Sequence, residues 1–252
     1  MVVQLKMSLL AIAAMLVINT STAYGAEVRV MAVNAIREAY LELVSVFETA
    51  SGHKVTTIWG GTEGISKRVS EGEVVDIVII AAPNLNKLIM EGKLVASSRA
   101  DIARSGIGMA VRSGLLKPDI SSGEAVKSAV LAAKSIAYST GPSGFYVADL
   151  FKKMGISDQV RDKVKQPASG VQIAEMVARG EADLGFQQVS ELLHAKGIDY
   201  LGPLPADIQN ITVYSVGLHA SAAAPDVARA LVKFLTGHEA GPVIRKIGME
   251  PS

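Results

Sequence analysis

Ile136-Ala-Tyr138 runs into Ser139-Thr140-Gly141-Pro142-Ser143-Gly144 and then into a helical pattern that Gly155 ends. The same arrangement stands twice upstream, where Val28 to Val33 meets Asn34-Ala35 and Val55 to Trp59 meets Gly60-Gly61-Thr62. A helix that begins just beyond a strand directs its first free N–H groups, and the positive end of its dipole, into the crevice outside the sheet. Several such ends aimed at one crevice would bind an anion.

Working outward from these turns, Val28 to Val33 reads as a buried strand. Ala35 to Ala50 reads as an amphipathic helix with Ala39, Leu43, Val46 and Phe47 inward, closed by Gly52. Lys54 to Ile58 is a strand, Gly64 to Glu71 a helix, and Val74 to Ala81 a strand apolar enough to be covered on both faces. A short helix over Asn84 to Glu91 precedes a strand at Gly106 to Arg112. From Pro118 the alternation restarts, with helices at Ser122 to Ala133, after Gly144, at Val171 to Arg179 and at Ser190 to Ala195, and strands at Ser135 to Tyr138 and Asp183 to Gln187. Ile211 to Leu218 is a further strand, followed by helices at Pro225 to Leu235 and Gly241 to Ile247.

Alternating strands and helices predict an α/β fold with mainly parallel sheets flanked by helices, and the restart predicts two lobes. Residues 27–110 with 211–252 are expected to form one lobe and residues 111–210 the other. The strands at Gly106 and Ile211 would make the two hinge crossings, leaving a cleft between the lobes.

Residues 1–26 form a secretory signal pattern: Lys6, an apolar stretch from Leu9 to Ile18, and small residues before Glu27. The apolar core is shorter than the ~20 residues a membrane-spanning helix needs, so cleavage and export are expected, with no stable membrane insertion afterwards. Cysteine is absent, which excludes disulfides, thiolate metal sites, cysteine nucleophiles and a lipid-bearing cysteine, and points to a periplasm. The formal charge is +1, so no basic footprint for nucleic acid exists and any positive potential must be local. His53, His194, His219 and His238 lack metal-ligand spacing, and neither a metal nor another cofactor is expected.

The chain resembles the periplasmic solute-binding proteins of ABC importers, in particular the group around the molybdate and tungstate binders. The resemblance is carried by Val33-Asn34-Ala35, the Gly-Gly-Thr turn after Trp59, Asp76 to Pro83, Gly141 to Gly144, Gly180-Glu-Ala-Asp-Leu-Gly185, the strand through Tyr214, and Phe234-Leu235 with Gly248-Met249. It implies a type II periplasmic binding fold, a monomer that closes on a small anion, and an ABC permease as partner. Two departures stand out. The first two turns lack the serines usual in that group, and Gln187-Gln188 replaces an expected tyrosine, so the turns suit a carboxylate at least as well as a compact metal oxyanion. The Trp59 to Thr62 and Gly141 to Gly144 turns also resemble a branch of this fold that includes aconitate isomerase, which implies a periplasmic enzyme acting on a tricarboxylate.

The ligand-binding residues expected on these grounds are Asn34, Ala35, Gly60, Gly61, Thr62, Ser139, Ser143, Gln188 and Tyr214. Asn34 also suits an ordinary N-cap, and Gly60-Gly61 also suits a tight turn. Gln187 and Gln188 follow a strand end, and alternation turns one of them to the cleft. Arg37 and Arg68 could neutralise carboxylates, although exposed helix positions suit them equally. An acidic Glu63 beside an anion is unfavourable unless it turns away or is protonated; in an isomerase it would be the candidate base.

Overall fold

The computed structural model describes residues 25–252, and the expected signal segment lies, up to residue 24, outside the described residues. β1 (Glu27–Val33) passes through a single 3-10 turn into α1 (Arg37–Ser51), followed by β2 (Lys54–Gly60), α2 (Thr62–Ser70), β3 (Ile77–Ala81), α3 (Ala82–Met90) and β4 (Ala100–Arg112). Then come α4 (Gly123–Ala132), β5 (Ile136–Tyr138), α5 (Pro142–Lys153), α6 (Ser157–Val160), β6 (Val164–Lys165), α7 (Ile173–Ala178), β7 (Leu184–Gln188), α8 (Val189–Leu192) and β8 (Ile198–Pro203). The chain ends with β9 (Ile211–Leu218), α9 (Pro225–Leu235), α10 (Ala240–Lys246) and β10 (Glu250–Pro251).

The α1 helix forms because apolar residues recur at helical spacing. Its buried face is Ala39, Tyr40, Leu43, Val44 and Phe47, and Gly52 closes it in the left-handed conformation at φ 72°. Val46, expected inward, is 53% exposed, because the 40-43-44-47 stripe turns it to solvent. All five residues of β3 are buried, as its unbroken apolar run requires.

β2, β1 and β3 pair in parallel, as do β6, β5 and β7. The strands between these sets are antiparallel. β9 lies between β3 and β4 and runs against both, because it brings the chain back past the strand that carried it out. β4 is longer than the sequence suggested: residues 100–106 pair with β9, and residues 107–112 pair with β7 and β8. The apolar interior divides at the same place. One core draws on residues 28–103 and 214–249, and the other half of the interior on residues 107–204.

Candidate anion site

The strand-to-helix turns open onto a cavity with about 410 Å³ of empty space, part of it continuous with solvent. Asn34, Ala35, Gly60, Gly61 and Thr62 line it from the first half of the molecule, and Ser139, Ser143 and Gln188 from the second, with Tyr214 of β9 beside them. Each residue expected to contact ligand thus faces one space. Thr140 and Gln187, whose neighbours were expected here, also line it, as do Ser169, Gly170 and Glu191, which the sequence did not single out.

Gly61 is the N-cap residue of α2 and Gly141 that of α5, and neither helix has a side-chain cap. Pro142 occupies the first turn of α5, where a missing N–H costs least. Both helices therefore present early backbone N–H groups to the cavity, each with roughly half a positive charge from its dipole. Hydroxyls stand beside them. Thr62 Oγ1 accepts from Ala81 N at 3.4 Å and retains its own proton to donate. Ser139 Oγ lies 3.2 Å from Ser143 Oγ and accepts from Gly141 N at 3.3 Å. The buried Thr140 Oγ1 has no hydrogen-bond partner in the protein.

The two halves meet over this space. Asn34 Nδ2 donates to the Gly170 carbonyl at 3.0 Å, and Gly64 N donates to Ser169 Oγ at 3.2 Å. The absence of a side chain at Gly61 is what permits this approach, since a Cβ there would lie 2.5 Å from Ser169 Oγ and 2.8 Å from Gly170 N. Asn34 is thus used as a strap between the halves rather than as a helix cap.

Both glutamines are held by protein. Gln187 Oε1 accepts from Ile173 N at 3.0 Å and Ala174 N at 3.3 Å, the first N–H groups of α7, while Nε2 donates to Gln172 Oε1 and Glu191 Oε1 at 3.1 and 2.9 Å. The Gln188 amide is oriented so that both its ends are satisfied: its nitrogen donates to Ser105 O and Gly106 O, and its oxygen accepts from Thr212 Oγ1 and Tyr214 Oη.

Glu191 is the feature the sequence did not disclose. Burial pushes its carboxyl up to about 7, against hydrogen bonds from glutamine side chains and the Gln188 backbone that favour the charged form. Tyr214 is buried, and desolvation together with the Glu191 charge raises its hydroxyl well above the ordinary value, so it stays protonated. The expected base, Glu63, turns away: its Oε1 accepts from Asn84 Nδ2 at 3.0 Å, outside the cavity lining. The arginines are elsewhere too. Arg37 lies over the Trp59 ring at 4.9 Å, and Arg68 pairs with Glu73 at 2.6 Å. Among the described residues no lysine or arginine lines the cavity, and Glu191 is its one carboxyl group. An anion here would be met by peptide N–H groups and hydroxyls.

The sequence profile of a family described as bacterial extracellular solute-binding protein matches residues 28–250. An aconitate isomerase from a Pseudomonas species is 37% identical over 217 residues, covering 83% of this chain and 82% of the relative. A molybdate-binding protein, ModA of Azotobacter vinelandii, is 29% identical, with 90% of each chain covered. Among solved structures, the Azotobacter vinelandii periplasmic molybdate-binding protein superposes with a TM-score of 0.76 at 20% identity, over 88% of this chain and 98% of its own. The sulfate-binding protein SubI of Mycobacterium tuberculosis gives 0.73 at 16% identity, over 90% of this chain and 87% of its own. At such identities these structures show the shared fold, and the profile match over nearly all described residues gives the family: the chain belongs to the bacterial extracellular solute-binding proteins.

Proposed function

We propose that this protein is a periplasmic enzyme that binds an unsaturated polycarboxylate between its two halves and interconverts cis- and trans-aconitate by a proton shift. The observation that carries the reading is the pairing, in one cavity, of two uncapped helix starts with a single half-buried carboxyl group. The helix starts suit the carboxylates of such a substrate. A carboxyl is a liability in a site that only captures anions, whereas a proton shift requires a base there. The similarity to a named aconitate isomerase agrees with this reading. The halves would part at β4 and β9 to admit substrate, and contacts such as that between Asn34 and Gly170 would favour the closed form once it is bound. Incubating the purified protein with cis-aconitate and following the trans isomer by proton NMR tests it, with no exchange at high protein concentration as the contrary result.

A second reading is capture of a small anion, carboxylate or oxyanion, for delivery to an ABC permease. It is favoured by the neutral donor set of α2 and α5, which needs no chemistry to be useful, and by the similarity to molybdate-binding proteins. A thermal-shift screen separates the two, because ligands that bind the folded state raise its melting temperature. Shifts with molybdate, tungstate or sulfate and none with tricarboxylates would favour capture of an oxyanion.

A further inference from the structure

We infer that Glu191 is the catalytic residue that carries the proton in this isomerisation, taking it from the substrate methylene and returning it at the far end of the shifted double bond. The assignment rests on the isomerase reading proposed above.

Position is the first argument. β7 ends at Gln188 on the cavity, and α8 begins at the next residue, so Glu191 sits one turn beyond a strand end that already lines the site. Gln187 and Glu191 are four residues apart, on the same side of the chain as it turns into the helix, and the 2.9 Å bond from Gln187 Nε2 fixes one carboxyl oxygen. Gln187 cannot easily rotate away. Its oxygen is committed to the first N–H groups of α7 and its nitrogen is shared with Gln172. The carboxyl is therefore held on a rigid support at the cavity wall.

Exclusion is the second argument. Glu63 is bonded to Asn84 outside the lining, and the histidines do not line the cavity. Tyr214, the other titratable side chain in the lining, is pushed the wrong way to act as a base. Glu191 alone combines access to the cavity with basicity suited to neutral pH, since burial carries its carboxyl up to about 7.

The chemistry balances without a further reactant. The Glu191 carboxylate takes a proton from the methylene carbon, and that C–H electron pair becomes the new carbon–carbon double bond. The old π pair takes a proton at the former vinyl carbon, supplied by the now neutral Glu191, which regains its charge. In the transition state negative charge spreads onto the substrate carboxylates, where the N–H groups of α2 and α5 and the free Thr140 hydroxyl are placed to receive it.

Glu191→Gln and Glu191→Asp, assayed beside the wild type with cis-aconitate from pH 5 to 9, decide the matter, with trans-aconitate thermal shifts as the measure of binding. A fall of at least about 100-fold in E191Q with the thermal shift retained, and a smaller fall in E191D, is expected. Turnover by E191Q within about threefold of wild type would overturn the assignment and leave the isomerase reading standing. Absence of turnover by the wild type, although trans-aconitate binds, would overturn the reading and the assignment together. Should E191Q fail to fold, the wild-type profile decides: kcat/KM rising through one ionisation near pH 7 supports Glu191, and a flat profile overturns it.

Discussion

Asn34 Nδ2 and the Gly170 carbonyl oxygen lie 3.0 Å apart, in a hydrogen bond that spans 136 residues of sequence and ties the end of β1 to the loop ahead of α7. With the Gly64 to Ser169 contact beside it, this bond holds the two halves of the molecule together over the cavity.

Gly61 is where this closure is most exposed to mutation. In Gly61→Ala the new Cβ would lie 2.8 Å from Gly170 N, a contact with backbone that cannot be relieved by a rotamer change. The closed arrangement should become less populated, and apparent affinity falls by that fraction. Isothermal titration with trans-aconitate is expected to show a loss of about tenfold or more while the unliganded melting temperature moves little. Wild-type affinity in G61A would contradict the closed contact.

Gly144 tests the second-half turn. A Cβ at this position runs into the Ser139 carbonyl, so alanine forces the start of α5 away from the turn that precedes it. Gly144→Ala is expected to cost more than ~2 kcal/mol, the range of a buried steric conflict. At ~2–4 °C per kcal/mol for a chain of this size, calorimetry should resolve the change easily. An unchanged melting temperature would mean that the turn is built otherwise.

Thr140→Val separates stability from binding by sign. The buried hydroxyl lacks a partner in the protein, and removing an unsatisfied polar group of this kind is worth roughly 1–3 kcal/mol. The unliganded variant should melt higher than wild type. The same substitution removes a donor from the cavity and should weaken ligand binding by about 1 kcal/mol, near fivefold. A variant less stable without ligand, or one that binds unchanged, would contradict a hydroxyl waiting for a ligand.

Glu191 should also govern how stability depends on pH. Its folded-state value, about 7, is raised above the ordinary carboxyl value of 4.5, so the folded protein favours the neutral acid. This contribution is fully present below pH 4.5 and is lost as pH rises through 7, leaving a cost on the order of 3 kcal/mol above that point. The neighbouring Tyr214 stays protonated throughout and adds no competing step. The melting temperature of unliganded wild type minus that of E191Q should therefore fall between pH 5 and 8. A difference independent of pH would show that the carboxyl is not shielded from water.

The cradle was legible because its residues are local. Strand, small residues and helix follow one another within a few positions at Asn34, Gly60 to Thr62 and Ser139 to Ser143, and short-range pattern suffices to place them at strand ends. What escaped was non-local. Ser169 and Gly170 lie in a loop with no motif, and their importance comes from meeting Gly61 and Asn34 more than a hundred residues away. Glu191 sits in a four-residue helix and reads as an ordinary surface acid, because partial burial of a lone charged residue leaves no periodic trace. A signal did exist, since Gln187 and Glu191 stand four apart at a strand-to-helix junction already suspected of facing the cleft. The length of β4 was likewise hidden. Its residues 100–106 look like a polar loop until β9 returns to pair with them. The tripling of strand-end turns indicated an anion, but it could not say whether a carboxyl stood among them, and that residue decides between capture and chemistry.

The most direct test of that decision is proton NMR of cis-aconitate incubated with the purified protein in deuterated buffer near pH 7.5. Growth of trans-aconitate signals at a rate proportional to protein concentration, abolished in E191Q while trans-aconitate still raises its melting temperature, is the expected result. A spectrum that stays at the no-protein rate, from a protein that melts higher in the presence of trans-aconitate, would contradict it and leave an anion-capturing protein in its place.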